Sequence, residues 1–287
     1  MPTTIPLGFE LLRMNLEITD LQAETVSTRQ KRVREAVASE LSVLRSFLVG
    51  SYGRDTMIGP LKTADIDIFI VLSSEYFYEY RPAALLDKVR TVLLKTYEKT
   101  PSTSRNGQAV TITFTDFRVD VVPAFDRKGG GFLIPNSLSN DWIETNPPIH
   151  DSVLTEANKA HNGDLVPLIK MMKGWNKTIG GSFRGFYLEL LAVDVLRDVR
   201  IDDYPSGVRF VLDKGRAKVK FKQNDPAGFG DQINPLDAVT SVEDAVSRFQ
   251  TAYNRALKAE EFARNGKIAD AFGEWRKIFG GYFPTFG

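Results

Sequence analysis

Two short stretches of the chain place acidic residues inside runs of apolar, strand-forming residues. Residues 65–72 read Asp-Ile-Asp-Ile-Phe-Ile-Val-Leu, and residues 117–123 read Phe-Arg-Val-Asp-Val-Val-Pro. Side chains alternate between the two faces of a strand, so Asp65 and Asp67 share one face, while Asp120 lies on one face of the second run. The pattern therefore predicts two β-strands that carry carboxylates among apolar neighbours.

Hydrophobic periodicity predicts the principal helices and one hairpin. Apolar residues spaced three or four apart indicate helices from Thr25 to Leu44, from Pro82 to Tyr97 and from Leu165 to Lys177. The segments Ala109–Phe114 and Phe117–Val122 predict a hairpin, with Asp116 read as a residue of the turn.

The other regions have weaker patterns. Residues 127–148 are rich in Gly, Pro and Asn and are expected to form an irregular cover. From Asp151 onward the pattern is helical, with a polar break expected at 198–231 and the last helices between about Ser241 and Trp275.

The acidic strands suggest a metal site. Neighbouring carboxylates such as Asp65 and Asp67 repel each other unless a cation lies between them, and an ionised Asp120 in an apolar strand is unfavourable without a partner. The chain has no Cys, and hard carboxylate oxygens favour Mg²⁺, with Mn²⁺ as the alternative, over zinc. If the strands are neighbours, the three carboxylates converge and can hold two ions roughly 3.5–4 Å apart, as in phosphoryl transfer.

Each of these signals has an ordinary structural interpretation when it is taken alone. A lone Asp-x-Asp pair is common on solvated edge strands and in turns, and Gly50-Ser51 after the apolar segment 46–49 could cap a helix without any ligand. The conjunction of strand, Gly-Ser turn, paired aspartates and a later apolar strand with a third aspartate favours the metal site.

These residues resemble the signature of the DNA polymerase β-like nucleotidyltransferases, and more narrowly the bacterial cGAS/DncV-like nucleotidyltransferases that make cyclic oligonucleotide signals in anti-phage defence. The resemblance covers roughly residues 20 to 195. It rests on the following segments: Gly50-Ser51-x-x-Arg54-x-Thr56, Asp65-Ile66-Asp67, Asp120-Val-Val-Pro-Ala-Phe125, Gly130-Gly-Phe-Leu-Ile-Pro135, Trp142-Ile-Glu-Thr-Asn-Pro147, Lys173-Gly174-Trp175 and Gly185-Phe-Tyr-Leu-Glu-Leu-Leu191.

The resemblance implies a bilobed α+β fold: a mixed sheet with flanking helices and a C-terminal helical lobe. Residues 1–150 are expected to form the catalytic core with a long N-terminal helix, and residues 151–287 the helical lobe that closes the nucleotide cleft. It implies a metal-dependent enzyme that uses two Mg²⁺ ions, held by Asp65, Asp67 and Asp120, to join NTPs and release pyrophosphate.

The same resemblance assigns nucleotide-binding roles. Gly50, Ser51 and Arg54 are expected to meet the donor phosphates. Lys173, in the family's Lys-x-Trp motif, is expected to reach the donor triphosphate, and Phe186 to stack on a base.

The resemblance also indicates roles for three other residues. Arg184 stands where the family usually has Ser and would replace that hydroxyl with a charge. Lys170 is the other candidate to reach the donor phosphates, and Asn162 would read the edge of the donor base. From spacing alone, Lys170 and Lys173 also fit the solvated face of an amphipathic helix, and Phe186 also fits core packing.

Charge and composition limit the partners. Lys plus Arg number 37 against 36 for Asp plus Glu, giving a formal net charge of +1, which argues against a protein that grips long nucleic acid through its overall field. The first 24 residues do not resemble a signal peptide, and no apolar run approaches the length of a membrane span. A cytoplasmic protein without a membrane partner is therefore expected.

The predicted partners are NTP substrates, with ATP among them, a separate effector protein that responds to the product, and regulatory proteins. Two alternative functions use the same residues: a template-independent RNA or tRNA nucleotidyltransferase, and a non-catalytic nucleotide-binding relative. The lack of a basic arm or an aromatic-basic repeat argues against the first. The presence of all three carboxylates argues against the second, because clustered acids without a function destabilise the fold.

Overall fold

The computed structural model describes residues 2–100, 102–230, 232–236 and 240–287. The chain forms two units, which we call the helical unit (Met1–Glu17, Val153–Asp225 and Asp231–Gly287) and the sheet unit (Ile18–Ser152 and Pro226–Gly230). The first 17 residues thus group with the second half of the chain. The predicted domains were instead two continuous segments, residues 1–150 and 151–287. Asp231, the expected end of the polar break, lies outside the described residues.

The sheet unit is built on seven strands of mixed direction. They are β1 (Val43–Val49), β2 (Asp65–Leu72), β3 (Ser102–Asn106), β4 (Ala109–Thr113), β5 (Arg118–Asp126), β6 (Phe132–Asn136) and β7 (Asp141–Thr145). The spatial order is β1-β2-β5-β4-β3, with β6 paired to the end of β5 and to β7. Only the β2–β5 pair among these is parallel; the other pairs are antiparallel.

Helices occupy both units. They are α1 (Ile5–Leu16), α2 (Asp20–Ala38), α3 (Gly50–Gly53), α4 (Glu75–Glu79), α5 (Pro82–Thr96), α6 (Pro147–Ala160), α7 (Leu165–Thr178), α8 (Gly185–Leu196), α9 (Tyr204–Lys218), α10 (Val242–Arg264) and α11 (Ile268–Phe279). Short 3₁₀ turns lie at Leu61–Thr63 and Gly280–Tyr282. Among the described residues, no helix combines the length and hydrophobicity that crossing a bilayer requires.

Alternation along β2 separates two apolar layers. Ile66, Ile68 and Ile70 enter a large core that also holds buried residues of α2 and α5, whereas Phe69 and Val71 enter a smaller core on the opposite face. Asp65 and Asp67 have the same parity as Phe69 and Val71, so the acids continue the smaller face toward the start of the strand. The predicted alternation is therefore confirmed.

The helix before β1 begins and ends earlier in the chain than its periodicity indicated. α2 begins at Asp20 with a capping box. The backbone N–H of Gln22 donates to the Thr19 hydroxyl oxygen, and the backbone N–H of Thr19 donates to the side-chain oxygen of Gln22. It ends at Ala38, and Leu44, the predicted last residue of the helix, lies in β1. Leu41 and Leu44 continue the apolar spacing of three beyond the end of α2. Periodicity alone therefore predicted a helix that extended into β1.

Two further expectations for irregular regions were wrong. The region 127–148 contains β6 and β7, whose short antiparallel ladder extends the sheet from the end of β5. The polar break at 198–231 contains the 15-residue helix α9, which begins after Asp203, whose side chain accepts from the Ser206 amide at 2.8 Å. Polar composition hid an amphipathic helix whose buried face is narrow.

The helical unit has an aromatic core. Phe9 of α1 is 1% exposed and meets Trp275 of α11 edge-on, with ring centroids 4.8 Å apart. Phe283 contacts Phe9 in the same way at 5.3 Å. These contacts explain why α1, at the start of the chain, belongs with the last helices rather than with the sheet.

Candidate active site

The parallel pairing of β2 with β5 brings the predicted acids together. In this register Asp67 is the direct neighbour of Asp120, and Asp65 is the neighbour of Arg118. Asp65, Asp67 and Asp120 all lie on the face that carries the smaller apolar core. The sheet therefore places three carboxylates from two adjacent strands on one surface.

The close approach of Asp67 requires a glycine at position 50. Gly50 begins α3 with a φ of +67°, and a Cβ built on it would lie 1.9 Å from Asp67 Oδ2. A side chain at this position would thus combine a left-handed backbone with a collision against the central carboxylate. The glycine of the Gly-Ser turn is accounted for by close packing against Asp67, and Ser51 follows it, half-buried, in the single turn of α3.

The pKa of Asp67 is strongly perturbed. Burial, followed by repulsion from Asp120 and then from Asp65, raises the pKa of Asp67 to about 7, and the nearby positive charge of Arg54 opposes this rise. Burial also raises the pKa of Asp120, against a lowering by its hydrogen bond from Thr111. Both aspartates therefore lie where a divalent cation would relieve a real electrostatic cost.

The acids are contacted by two residues for which no role was predicted, Thr111 and Arg118. Thr111, 7% exposed and opposite Asp120 in the β4–β5 pair, donates its hydroxyl to Asp120 Oδ1 at 2.5 Å. Arg118 forms a two-pronged contact with Asp65, from Nε to Oδ1 at 2.6 Å and from Nη2 to Oδ2 at 3.1 Å. The parity of Arg118 with Asp120 was visible in the sequence, but its pairing with Asp65 depends on the strand register.

The donor set fits Mg²⁺ in chemistry, although its side chains are not arranged as a closed metal shell. Across the described ranges of the chain, no three His, Cys, Asp or Glu side chains are grouped closely enough to hold an ion. The contact of Asp65 with Arg118 accounts for this, because it directs that carboxylate to the guanidinium. Asp67 and Asp120, adjacent and with raised pKa values, are the pair that would hold a metal first.

The other predicted ligands of the nucleotide lie in the helical unit. Lys173 of α7 and Glu189 of α8 form a buried ion pair, with Nζ 2.6 Å from Oε1. Lys170, one turn earlier, pairs with Glu17 at 2.7 Å, and its side chain is only 4% exposed. The alternative that Lys170 and Lys173 lie on a solvated face of the helix is therefore wrong.

Arg184 and Phe186 flank the start of α8, next to Lys173. The backbone of Arg184 is extended at the N-cap of α8, its side chain is exposed, and its Nε donates to the Leu236 carbonyl at 3.1 Å. Phe186 is half-buried, whereas the adjacent Tyr187 is fully buried in the core. Lys173 lies against Gly185, the residue between Arg184 and Phe186, because a Cβ built there would be 3.7 Å from Lys173 Cε. Asn162 is in an exposed turn after α6 with a φ of +54°.

Comparison with known proteins identifies the family of the chain. Residues 4–158 match the family model described as the Second Messenger Oligonucleotide or Dinucleotide Synthetase (SMODS) domain. The chain is 28% identical to the cyclic AMP-AMP-AMP synthase of an Acinetobacter strain, over 95% of this chain and 83% of that protein.

Solved structures show the same fold. CdnC from Escherichia coli, determined in complex with a HORMA protein, superposes with a TM-score of 0.72 at 17% identity over 96% of each chain. The cyclic AMP-GMP synthase DncV from Vibrio cholerae, in complex with a linear intermediate, superposes with a TM-score of 0.70 at 14% identity over 98% of this chain and 87% of that one.

The solved structures confirm the predicted α+β class, and relatives that are named as cyclic nucleotide synthases identify the chain as a nucleotidyltransferase. Since the family model covers more than half of the chain, the protein belongs to the second messenger oligonucleotide or dinucleotide synthetase family. Its relatives are named as cyclic nucleotide synthases, which confirms the family and the enzyme class that the motifs indicated.

Proposed function

We propose that this protein joins nucleoside triphosphates into a cyclic di- or oligonucleotide second messenger and releases pyrophosphate at each step. The observation that carries the proposal is the parallel register of β2 and β5, which sets Asp67 beside Asp120 with Asp65 on the same face. ATP is proposed as one substrate, because the Acinetobacter relative is named for AMP units and CdnC was solved with ATP.

We assign the metal site to Asp65, Asp67 and Asp120, with two Mg²⁺ ions and Mn²⁺ as the alternative. When bound, such ions stabilise the charge on the attacking and leaving oxygens of a phosphoryl transfer. Burial, followed by repulsion from Asp120 and then from Asp65, raises the pKa of Asp67, and a bound cation would favour its ionised form. Asp65 joins the site when its carboxylate leaves Arg118.

The chemical step follows from the position of Asp120. The Thr111 hydroxyl engages one oxygen of this carboxylate and leaves the other to accept the proton of the acceptor ribose hydroxyl. The ribose oxygen then forms a bond to the α-phosphorus as the bond to the pyrophosphate oxygen breaks. A second transfer within the linear product closes the ring.

Substrate binding is assigned to two groups of residues. In the sheet unit, Gly50, Ser51 and Arg54 meet the donor phosphates, and the positive charge of Arg54 already acts on Asp67. In the helical unit, Lys173 and Arg184 supply cations for the phosphates, and Phe186 supplies a stacking face for a base, worth about 1–3 kcal/mol. Lys170 is proposed as a second lysine for the donor phosphates, and Asn162 as a contact to the donor base.

The biological setting is proposed from the relatives. CdnC is named as an oligonucleotide cyclase of CBASS, and anti-phage signalling in the cytoplasm is proposed for this protein as well. The cyclic product would act on a separate effector protein. Because the structure of CdnC was also determined in complex with a HORMA protein, a regulatory protein partner is proposed as a further component.

Incubation of the pure protein with α-labelled NTPs and Mg²⁺ tests the activity. A small labelled product that resists phosphatase is the expected result, since a cyclic product has no terminal phosphate. Labelled polymer would instead show an RNA nucleotidyltransferase. If nothing is labelled at any Mg²⁺ or Mn²⁺ concentration, with or without a candidate HORMA-type partner, the synthase assignment is wrong.

A further inference from the structure

A buried ion pair joins α7 and α8 at the place where the nucleotide-binding residues of the helical unit meet. Lys173 and Glu189 have side chains only 10% and 2% exposed, and their charged atoms are 2.6 Å apart. Glu189 lies in an unbroken run of buried residues from Tyr187 to Leu191. A carboxylate in such a run requires a partner, and the ammonium of Lys173 provides it.

Stability alone is a weak explanation for this pair. Desolvation offsets most of the attraction in a buried ion pair, so two apolar side chains of similar volume usually stabilise a protein as well or better. The loss of one partner, in contrast, is strongly destabilising because it leaves a buried charge alone. What an ion pair does supply is a charged group held at a defined point.

That point lies against the first turn of α8. A Cβ built on Gly185 would be 3.7 Å from Lys173 Cε and 3.9 Å from its Nζ, so the ammonium lies in van der Waals reach of the helix start. The exposed Arg184 precedes Gly185 and the half-buried Phe186 follows it. An ammonium at a helix start, with an arginine and an aromatic residue next to that position in the sequence, suits the phosphates and base of a nucleotide.

We propose that Glu189 is a positioning residue for substrate binding: its carboxylate holds the Lys173 ammonium at the start of α8, where that ammonium meets the donor phosphates. The proposal rests on the proposed function, which assigns Lys173 to the donor nucleotide. It extends that function by one residue, and it identifies the Lys173–Glu189 pair as part of the binding site rather than as a support for the fold alone.

Single replacements risk unfolding the protein, so the first test removes both charges. The double variant Lys173→Met with Glu189→Leu keeps the volume of the pair and is expected to melt close to the wild-type temperature. Its affinity for a non-hydrolysable ATP analogue with Mg²⁺, measured by calorimetry, should fall about 10- to 100-fold, the value of one hydrogen bond between charged groups.

A matched control comes from the pair Arg209–Glu260, which joins α9 and α10 within the same unit with its charged atoms 2.7 Å apart. Replacement by Arg209→Met with Glu260→Leu should leave the affinity for the analogue unchanged. If the Lys173→Met, Glu189→Leu variant melts like the wild type and also binds the analogue like the wild type, the pair is structural and the proposal is wrong.

Glu189→Asp isolates the positioning role. Aspartate keeps the charge pair but is one methylene shorter, so the ammonium is drawn back from the start of α8. The expected result is an unchanged melting temperature with several-fold weaker binding of the analogue and a raised KM at nearly constant kcat. If binding is lost in the double variant but is unaffected in Glu189→Asp, then Lys173 binds the donor and Glu189 does not position it.

The proposed function fails separately from this inference. A wild-type protein that does not bind the analogue, or makes no product from labelled NTPs, contradicts the synthase assignment whatever the variants do. A wild-type protein that binds and reacts, together with a Glu189→Asp variant that binds equally well, contradicts only the role given to Glu189.

Discussion

Asp67→Asn should change the pH dependence of folding stability in a defined direction. Burial and the repulsion of Asp120 and Asp65 raise the pKa of Asp67 from 3.8 to about 7. Between these values the unfolded chain has released its proton while the folded protein retains it. The unfolded state therefore binds fewer protons, and the stability of the folded protein falls as the pH rises from 4 to 7.

The size of the effect follows from the same interval. At about 1.4 kcal/mol for each pH unit, the rise from 3.8 to about 7 corresponds to a loss of about 4 kcal/mol once Asp67 is fully ionised. This contribution is fully present below pH 4 and is lost above pH 7. Asparagine does not titrate. The free energy of unfolding of Asp67→Asn, relative to that of the wild type, should therefore rise by about 3 kcal/mol between pH 5 and pH 8.

Denaturant unfolding in EDTA at pH 5, 6, 7 and 8 measures this difference. Asp126→Asn is the control: Asp126 lies on the same strand as Asp120, its pKa is lowered by the hydrogen bond from Arg45, and it should give no change over this range. Addition of Mg²⁺ at pH 8 should raise the free energy of unfolding of the wild type but not that of Asp67→Asn. Parallel pH profiles for the wild type and Asp67→Asn would refute the electrostatic reasoning, and equal stabilisation of both by Mg²⁺ would refute the assignment of Asp67 as a ligand.

Three further predictions concern packing around the acids and in the helical unit. Gly50→Ala would place a methyl group 1.9 Å from Asp67 Oδ2 on a left-handed backbone; product formation from labelled NTPs should fall by about 100-fold through displacement of the carboxylate, and wild-type activity in this variant would contradict the close approach. Thr111→Val removes the hydroxyl that donates to Asp120 while keeping the shape of the side chain; kcat should fall about 10-fold with little change in KM, and Thr111→Ser should recover most of it. Phe9→Ala should destabilise the helical unit by about 3–5 kcal/mol in denaturant unfolding, because Phe9 is 1% exposed among aromatic rings; a loss below about 1 kcal/mol would show that the cluster repacks.

Local patterns predicted the parts of this protein that depend on one segment at a time. The alternation of Asp65 and Asp67 with isoleucines determined which face carries the acids, and the bounds of β2 and α7 agree with their predicted bounds to within a residue. The Gly-Ser turn, the paired aspartates and the third aspartate indicated the family, and the family model confirms it. By contrast, polar composition concealed α9, and a content rich in Gly, Pro and Asn concealed the short strands β6 and β7.

Only the tertiary structure decided which distant residues touch. The β2–β5 register places Asp120 beside Asp67 and Arg118 beside Asp65, and a shift of one residue would have turned both away. The pairing of Lys173 with Glu189 likewise depends on how α7 packs against α8, since spacing along α7 alone suggested a solvated face. Periodicity in a sequence records which face of an element is buried, but the partner on that face is determined by register and packing between segments far apart in the chain.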